Sequence, residues 1–112
     1  MKHMKIPLPL LSDSLESTFE QYEAKFKAMA DKKRLHILYE LCQRGKTCVC
    51  DLTGVLDMQQ SKLSYHLKIL LDANLIEKET IGTWSYYQLN EKEMGHLLSN
   101  ELCCVFLPNK GN

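Results

Sequence analysis

The stretch Gln59-Gln60-Ser61-Lys62-Leu63-Ser64-Tyr65-His66-Leu67-Lys68-Ile69-Leu70 decides how this chain is read. Its leucines at 63, 67 and 70, followed by Leu71, recur at three- and four-residue steps, so they lie on one face of a helix expected over Gln60 to Asp72. That phase turns Gln60, Ser61, Lys62, Ser64, Tyr65 and Lys68 outward. Their chemistry suits a nucleic-acid groove. Glutamine pairs bidentately with adenine, serine bonds to base or phosphate, tyrosine reaches a phosphate oxygen, and lysine supplies charge. An ordinary solvated helix face carries the same residue types, so the neighbouring segments decide between the two.

Immediately upstream, Leu52, Val55 and Leu56 mark a short helix, and a polar turn at Asp57 to Gln59 separates it from the longer one. Two helices joined by such a turn make a helix-turn-helix pattern. Downstream, Leu75 to Thr80 and Ser85 to Leu89 alternate with strand periodicity around Ile81-Gly82-Thr83-Trp84, which predicts a hairpin with Trp84 as a packing aromatic. Further out, Leu15, Phe19, Tyr22, Phe26 and Met29 form the apolar stripe of a first helix ending near Ala30. Asp31 is the expected N-cap of a second, Lys32 to Arg44, with Leu35, Leu38, Leu41 and Cys42 inward and Gly45 at its C-terminal end. Cys42 has the phase of a small buried hydrophobe. A last helix is expected over Glu91 to Leu102, with Met94, Leu97, Leu98 and Leu102 in phase.

The expected architecture is mainly α with a β-hairpin, a winged helix-turn-helix in the order ααααββα. Residues 1–13, with Pro7 and Pro9, read as a mobile N-terminal arm, and residues 14–112 as one DNA-binding and dimerisation domain. A length of 112 residues suits one core, and 45% apolar with 25% charged residues is the composition of a folded protein. The opening apolar run is too short and too broken by proline for a signal peptide, and no stretch approaches the roughly 20 apolar residues of a membrane span. Five cysteines, an odd number, fit reduced thiols in the cytoplasm better than a secreted disulfide framework. Formal net charge is zero, so any DNA contact must come from a local basic surface.

Three motifs then occur in one order: Thr47-Cys48-Val49-Cys50-Asp51-Leu52, Ser61-Lys62-Leu63-Ser64-Tyr65-His66-Leu67-Lys68, and Gly82-Thr83-Trp84-Ser85-Tyr86-Tyr87-Gln88-Leu89. Together they resemble the ArsR/SmtB repressors, over about residues 20–102, and most resemble the arsenic-sensing members. The resemblance implies a homodimer without an obligatory cofactor. Operator DNA would be read by the helix at Gln60 to Asp72, with a wing at residues 75–89 and dimer contacts from the first and last helices. This chain departs from the family in its wing, which often carries arginine and here offers Lys78 with Thr80, Thr83 and Trp84.

Cys48 and Cys50 carry the chemistry of release. With Asp51 three residues after Cys48, Cys48 falls at the N-cap of the short helix and Cys50 in its first turn. Side chains two apart on a regular helix project about 200° from each other, so one ion can take both sulfurs only where the segment is nonhelical or distorted. Unpaired amides at a helix N-terminus favour thiolate and lower its pKa. Soft thiolates select ions such as Cu(I) and Zn; resemblance adds As(III) or Sb(III), held by three sulfurs. Family members with three cysteines in this helix would carry one where Thr53 stands. Cys103 and Cys104, adjacent at a polar helix end, are therefore the candidates to complete the site or form a second one. The family's other pattern, acidic and histidine ligands on the last helix, is not matched by Glu93, His96 and Glu101.

Of the other histidines, His36 reads as structural and His66 as surface or DNA-facing. Four rivals are weighed at this point. A Cd, Pb or Zn thiolate sensor, or a winged-helix regulator whose cysteines sense oxidants, would use the same residues. A redox enzyme is disfavoured, because C-x-C is not the C-x-x-C spacing and no thioredoxin-like strand-helix alternation surrounds it. A structural protein that never touches DNA would show no salt-dependent DNA binding.

Overall fold

A computed structural model describes residues 8–97, with side chains from Leu15 onward. Its elements run α1 (Leu8–Met29), α2 (Lys32–Arg44), β1 (Thr47–Cys48), α3 (Val49–Leu56), α4 (Gln60–Asp72), β2 (Ile76–Ile81), β3 (Trp84–Leu89) and α5 (Glu91–Gly95). The expected helix order and hairpin are present, with a two-residue strand added before α3. Helix α1 begins at Leu8, so residues 8–13, read as arm, belong to it. Of the expected last helix, the described part is α5 and the turn to Leu97.

Each boundary has a local cause. Asp31 caps α2, accepting from the N–H groups of Lys33 at 2.9 Å and Arg34 at 3.1 Å, and those bonds hold its carboxyl below the usual aspartate range. Gly45, at φ 77, ends the same helix and turns the chain toward β1, and the Thr47 hydroxyl donates back to the Gly45 carbonyl at 2.8 Å. Asp57, at φ 51 and ψ 52, takes the left-handed conformation that closes α3 and starts the turn into α4. Gly82, at φ 64, is the first residue of the two-residue β2–β3 loop, as a type II′ turn requires.

Strand β3 is the centre of a three-stranded antiparallel sheet, order β1-β3-β2. It pairs with β2 from Ile76↔Leu89 to Ile81↔Trp84, and on its other edge with β1 through Thr47↔Tyr87 and Cys48↔Tyr86. The core gathers Ile37, Leu38, Leu41 and Cys42 from α2, Leu52 from α3, Leu63, Leu67 and Leu70 from α4, Leu75, Ile76, Tyr87 and Leu89 from the sheet region, and Met94 from α5. Each large aliphatic side chain buried there contributes about 1.5–3 kcal/mol. Val55, one of the residues that mark α3, is exposed; Leu35, Leu56 and Leu71 are half-buried at the core's margin.

Helix α1 sits on α2 and α4 in an unexpected rotation. Ala28 and Lys25 are its buried residues, and the Lys25 ammonium pairs with Glu93 of α5 at 3.6 Å. The aromatic stripe lies about a third of a turn away at 100° per residue, leaving Phe19 59% and Phe26 58% exposed and Tyr22 at the surface beside Phe26.

Candidate DNA interface and thiol site

On α4 the division of labour is complete. Leu63, Leu67 and Leu70 are buried, while Gln60, Ser61, Lys62, Ser64, Tyr65 and Lys68 are all exposed over an arc of about 200°. Lys68 pairs with Asp72 at 3.1 Å along the helix. His66 and His36 exchange the roles expected of them. His66 is buried, with Nδ1 3.1 Å from Arg34 Nη1 and its ring edge-on to Tyr65, whereas His36 lies at the surface beside Glu40. Burial, aided by Arg34, Lys62 and Lys33 and opposed by Asp31, lowers the His66 pKa and holds the ring neutral. Arg34 Nε also donates to the Ala28 carbonyl at 2.7 Å, so one guanidinium ties the end of α1 and the start of α2 to the middle of α4.

The wing stands beside this helix. Trp84, expected to pack, is 54% exposed at the hairpin tip opposite Ile81. Lys78 lies over the Tyr87 ring, 6.0 Å from its centre, and Lys46 bonds Glu79, tying the approach to β1 onto β2.

Cys48 and Cys50 meet at the hinge between sheet and helix-turn-helix. Cys48 is the N-cap of α3 in an extended conformation, φ −68 and ψ 143, so it stands outside the helix whose regular geometry would have separated the two side chains. The sulfurs are 2.6 Å apart, and the Cys48 sulfur accepts the Cys50 N–H at 3.3 Å. Cys48 is buried and Cys50 exposed, which leaves the pair open from one side. The thiol of Cys50 is raised above its ordinary pKa, chiefly by its hydrogen bond with Cys48 and then by some loss of solvation and the neighbouring negative charge. That is opposite to the lowering expected at a helix N-terminus: the neighbouring sulfur outweighs the amides. Two Zn–S bonds of about 2.3 Å at a tetrahedral angle would put the sulfurs roughly 3.7 Å apart, so an ion held by both would need this pair to open by about 1 Å. Among the described residues no third cysteine, histidine, aspartate or glutamate joins them in a three-ligand group. Cys103 and Cys104 lie outside the described residues. Glu93 is engaged by Lys25, and His96 is exposed on the turn after α5.

A helix-turn-helix with an outward polar second helix and an antiparallel wing is the architecture of winged-helix DNA-binding regulators. Residues 31–78 match the family model described as bacterial regulatory protein, arsR family. The chain is 67% identical to the arsenical resistance operon repressor of Bacillus subtilis over 96 residues, 86% of this chain and 91% of that protein. It is 30% identical to a cadmium resistance transcriptional regulatory protein CadC homolog of Staphylococcus aureus, over 65% of this chain and 60% of that one. Among solved structures it is similar to the homodimeric winged helix-turn-helix DNA-binding domain Mb0332 of Mycobacterium bovis, with a TM-score of 0.70 at 28% identity, covering 76% of this chain and 78% of that one. The chain belongs to the ArsR family.

Proposed function

We propose that the protein is a transcriptional repressor that binds operator DNA as a homodimer and releases it when a thiophilic metalloid, As(III) or Sb(III), binds Cys48 and Cys50. The third sulfur would come from Cys103 or Cys104. The observation that carries this reading is the convergence of the two sulfurs on the first turn of the helix-turn-helix. The outward polar face of α4 supports DNA as the partner, with Gln60, Ser61 and Ser64 reading bases and Lys62, Tyr65 and Lys68 at phosphates. The exposed stripe of Phe19, Tyr22 and Phe26 supports dimerisation through α1, and the M. bovis relative is homodimeric. The B. subtilis relative, an arsenical resistance repressor, supports the choice of ion class.

Release follows from what the sulfurs hold in the ion-free state. Cys48 caps α3 through the Cys50 N–H and is paired to Tyr86 on the central strand. Coordination displaces the thiol protons, spreads the sulfurs and takes away that cap. Helix α3 then shifts against the sheet, and α4, packed on α3, loses its placement relative to the wing. Because coupling is reciprocal, the DNA-bound form holds the ion more weakly by the same factor.

The test is operator binding followed by fluorescence anisotropy before and after saturating As(III), Cd(II) or hydrogen peroxide, with thiols titrated at each step. As(III) should weaken binding by about 5- to 150-fold, the usual range of allosteric coupling. The Cys48→Ser/Cys50→Ser protein should bind operator normally and ignore As(III). An As(III)-independent wild type, or a double variant that still lets go, would overturn the mechanism. The closeness of the sulfurs also favours a second reading, oxidant sensing through a Cys48–Cys50 disulfide. Release by peroxide with loss of two thiols, and none by As(III), would select it.

A further inference from the structure

With a net charge of zero, the protein must concentrate positive charge locally to hold DNA, and the structure shows a place outside α4 where it does so. An open cleft of about 470 Å³ lies between the start of α2 and the outer side of α4, lined by Asp31, Lys32, Lys33, Lys62, Tyr65 and His66. We infer that Lys32 and Lys33, together with Lys62, form a clamp on the phosphate backbone of duplex DNA, flanking the groove that α4 enters. The inference rests on DNA binding by α4 and extends its footprint to a second helix.

Three observations carry it. The first is the state of the ammonium groups. Lys25, Lys27, Lys46 and Lys68 each lie within ion-pair distance of a carboxylate, whereas Lys32, Lys33 and Lys62 meet none among the described residues; Lys78 and Lys92 also meet none but lie away from this cleft, Lys78 over Tyr87 on the wing and Lys92 on α5. Three uncommitted cations therefore surround one cleft. The second is the fate of the cleft's single carboxylate. One oxygen of Asp31 accepts the Lys33 and Arg34 amides and the other lies 3.9 Å from the Arg34 guanidinium, so it is occupied internally and does not neutralise the lysines. The third is rigidity. Arg34 bonds the Ala28 carbonyl and His66, which fixes the α2 start against α4 and keeps the lysines in register with the reading face.

Lysine ammoniums act as point charges suited to phosphate and carry no base preference of their own. The clamp therefore adds affinity without sequence selectivity. Its signature is the salt dependence of binding, because each phosphate neutralised releases condensed counterions.

The experiment measures operator and scrambled-DNA affinity across about 50–200 mM salt for wild type, Lys32→Ala/Lys33→Ala and Lys32→Arg/Lys33→Arg, with folding checked by circular dichroism. The alanine protein should bind both DNAs more weakly, with the log–log slope flatter by about one unit per lysine per protomer, and the operator-to-scrambled ratio unchanged. The arginine protein should keep the wild-type slope. A wild-type slope in the folded alanine variant overturns the clamp and leaves DNA binding by α4 intact. A collapse of the operator-to-scrambled ratio also overturns it, since it would place these lysines at bases. Absence of salt-dependent binding by the wild type overturns the proposed function itself, and the clamp with it.

Discussion

Helices α1 and α4 are both amphipathic, both packed on the same core, and both leave one face in solvent, but the faces differ in kind. On α4 the exposed arc carries glutamine, serine, lysine and tyrosine; on α1 it carries the aromatic stripe Phe19, Tyr22 and Phe26 alongside charged residues such as Glu20, Glu23 and Lys27. Water solvates the first at little cost. The second holds large apolar rings out of the core, a cost removed when a partner surface covers them. In the proposed repressor, the chemistry of the exposed face distinguishes a partner made of nucleic acid from one made of protein, and the two faces would depend on each other. A dimer sets the spacing of two α4 helices, and only that spacing lets both enter successive major grooves.

The largest effect should come from breaking this dependence at α1. Phe19→Asp/Phe26→Asp places charges at the centre of the apolar stripe, where interface anchors are commonly worth 2 kcal/mol or more each. Sedimentation should show monomer, and operator affinity should fall by at least about 100-fold although no α4 residue has changed. A monomer with wild-type affinity would separate the two faces and refute the coupling.

Next in size is the loss of base reading on α4. Gln60→Ala should relax preference at one base pair per half-site, a change of about 1–3 kcal/mol in discrimination, and leave the salt slope unaltered. Lys62→Ala should do the reverse. Its affinity falls for every sequence, and the slope flattens by about one unit per protomer. Competition against a panel of single-base operator variants, repeated at several salt concentrations, measures both. An unchanged slope for Lys62→Ala would remove that residue from the phosphates.

The contrast between the two helices also explains what the chain's order of residues could reveal. Most of helix α4 is legible in the sequence, because Leu63, Leu67 and Leu70 bury the face their period marks and the polar arc stays exposed, but Leu71 is only half-buried and His66, expected at the surface, is buried. On α1 the period was equally clear, but the aromatic stripe faces out, and Ala28 and Lys25 do the packing within the chain. Periodicity reports that a face is apolar; it does not report which surface covers that face. At the thiol corner, Cys48 was correctly placed as a cap, whereas β1 escaped notice because two residues carry no period and owe their strand geometry to Tyr86 and Tyr87, nearly 40 positions away. Lys32 and Lys33 were read only as the residues after an N-cap. Their proximity to Lys62 exists through the Arg34–His66 contact, which joins positions 32 apart.

That contact supplies the smallest prediction, and it sharpens what separates the inner from the outer side of α4. His66 sits one helical turn from both Lys62 and Leu70, at the boundary between exposed and buried arcs, and the structure puts its ring on the buried side. Burial lowers its pKa below the ordinary value near 6.5. The unfolded chain therefore binds a proton there at a pH where the folded chain does not, so stability contributed by neutral His66 is complete above about pH 6.5 and declines as pH falls toward the folded pKa. One such group limits the slope to about 1.4 kcal/mol per pH unit for each chain. His66→Gln keeps an acceptor for Arg34 and removes the titration. Urea unfolding between about pH 5 and 8 should thus show wild-type stability falling with acid and the glutamine variant falling less, by the contribution of this one proton. Parallel curves for the two proteins would mean that His66 titrates in the folded state as it does in the unfolded one, and would move the boundary of the buried arc to Leu70.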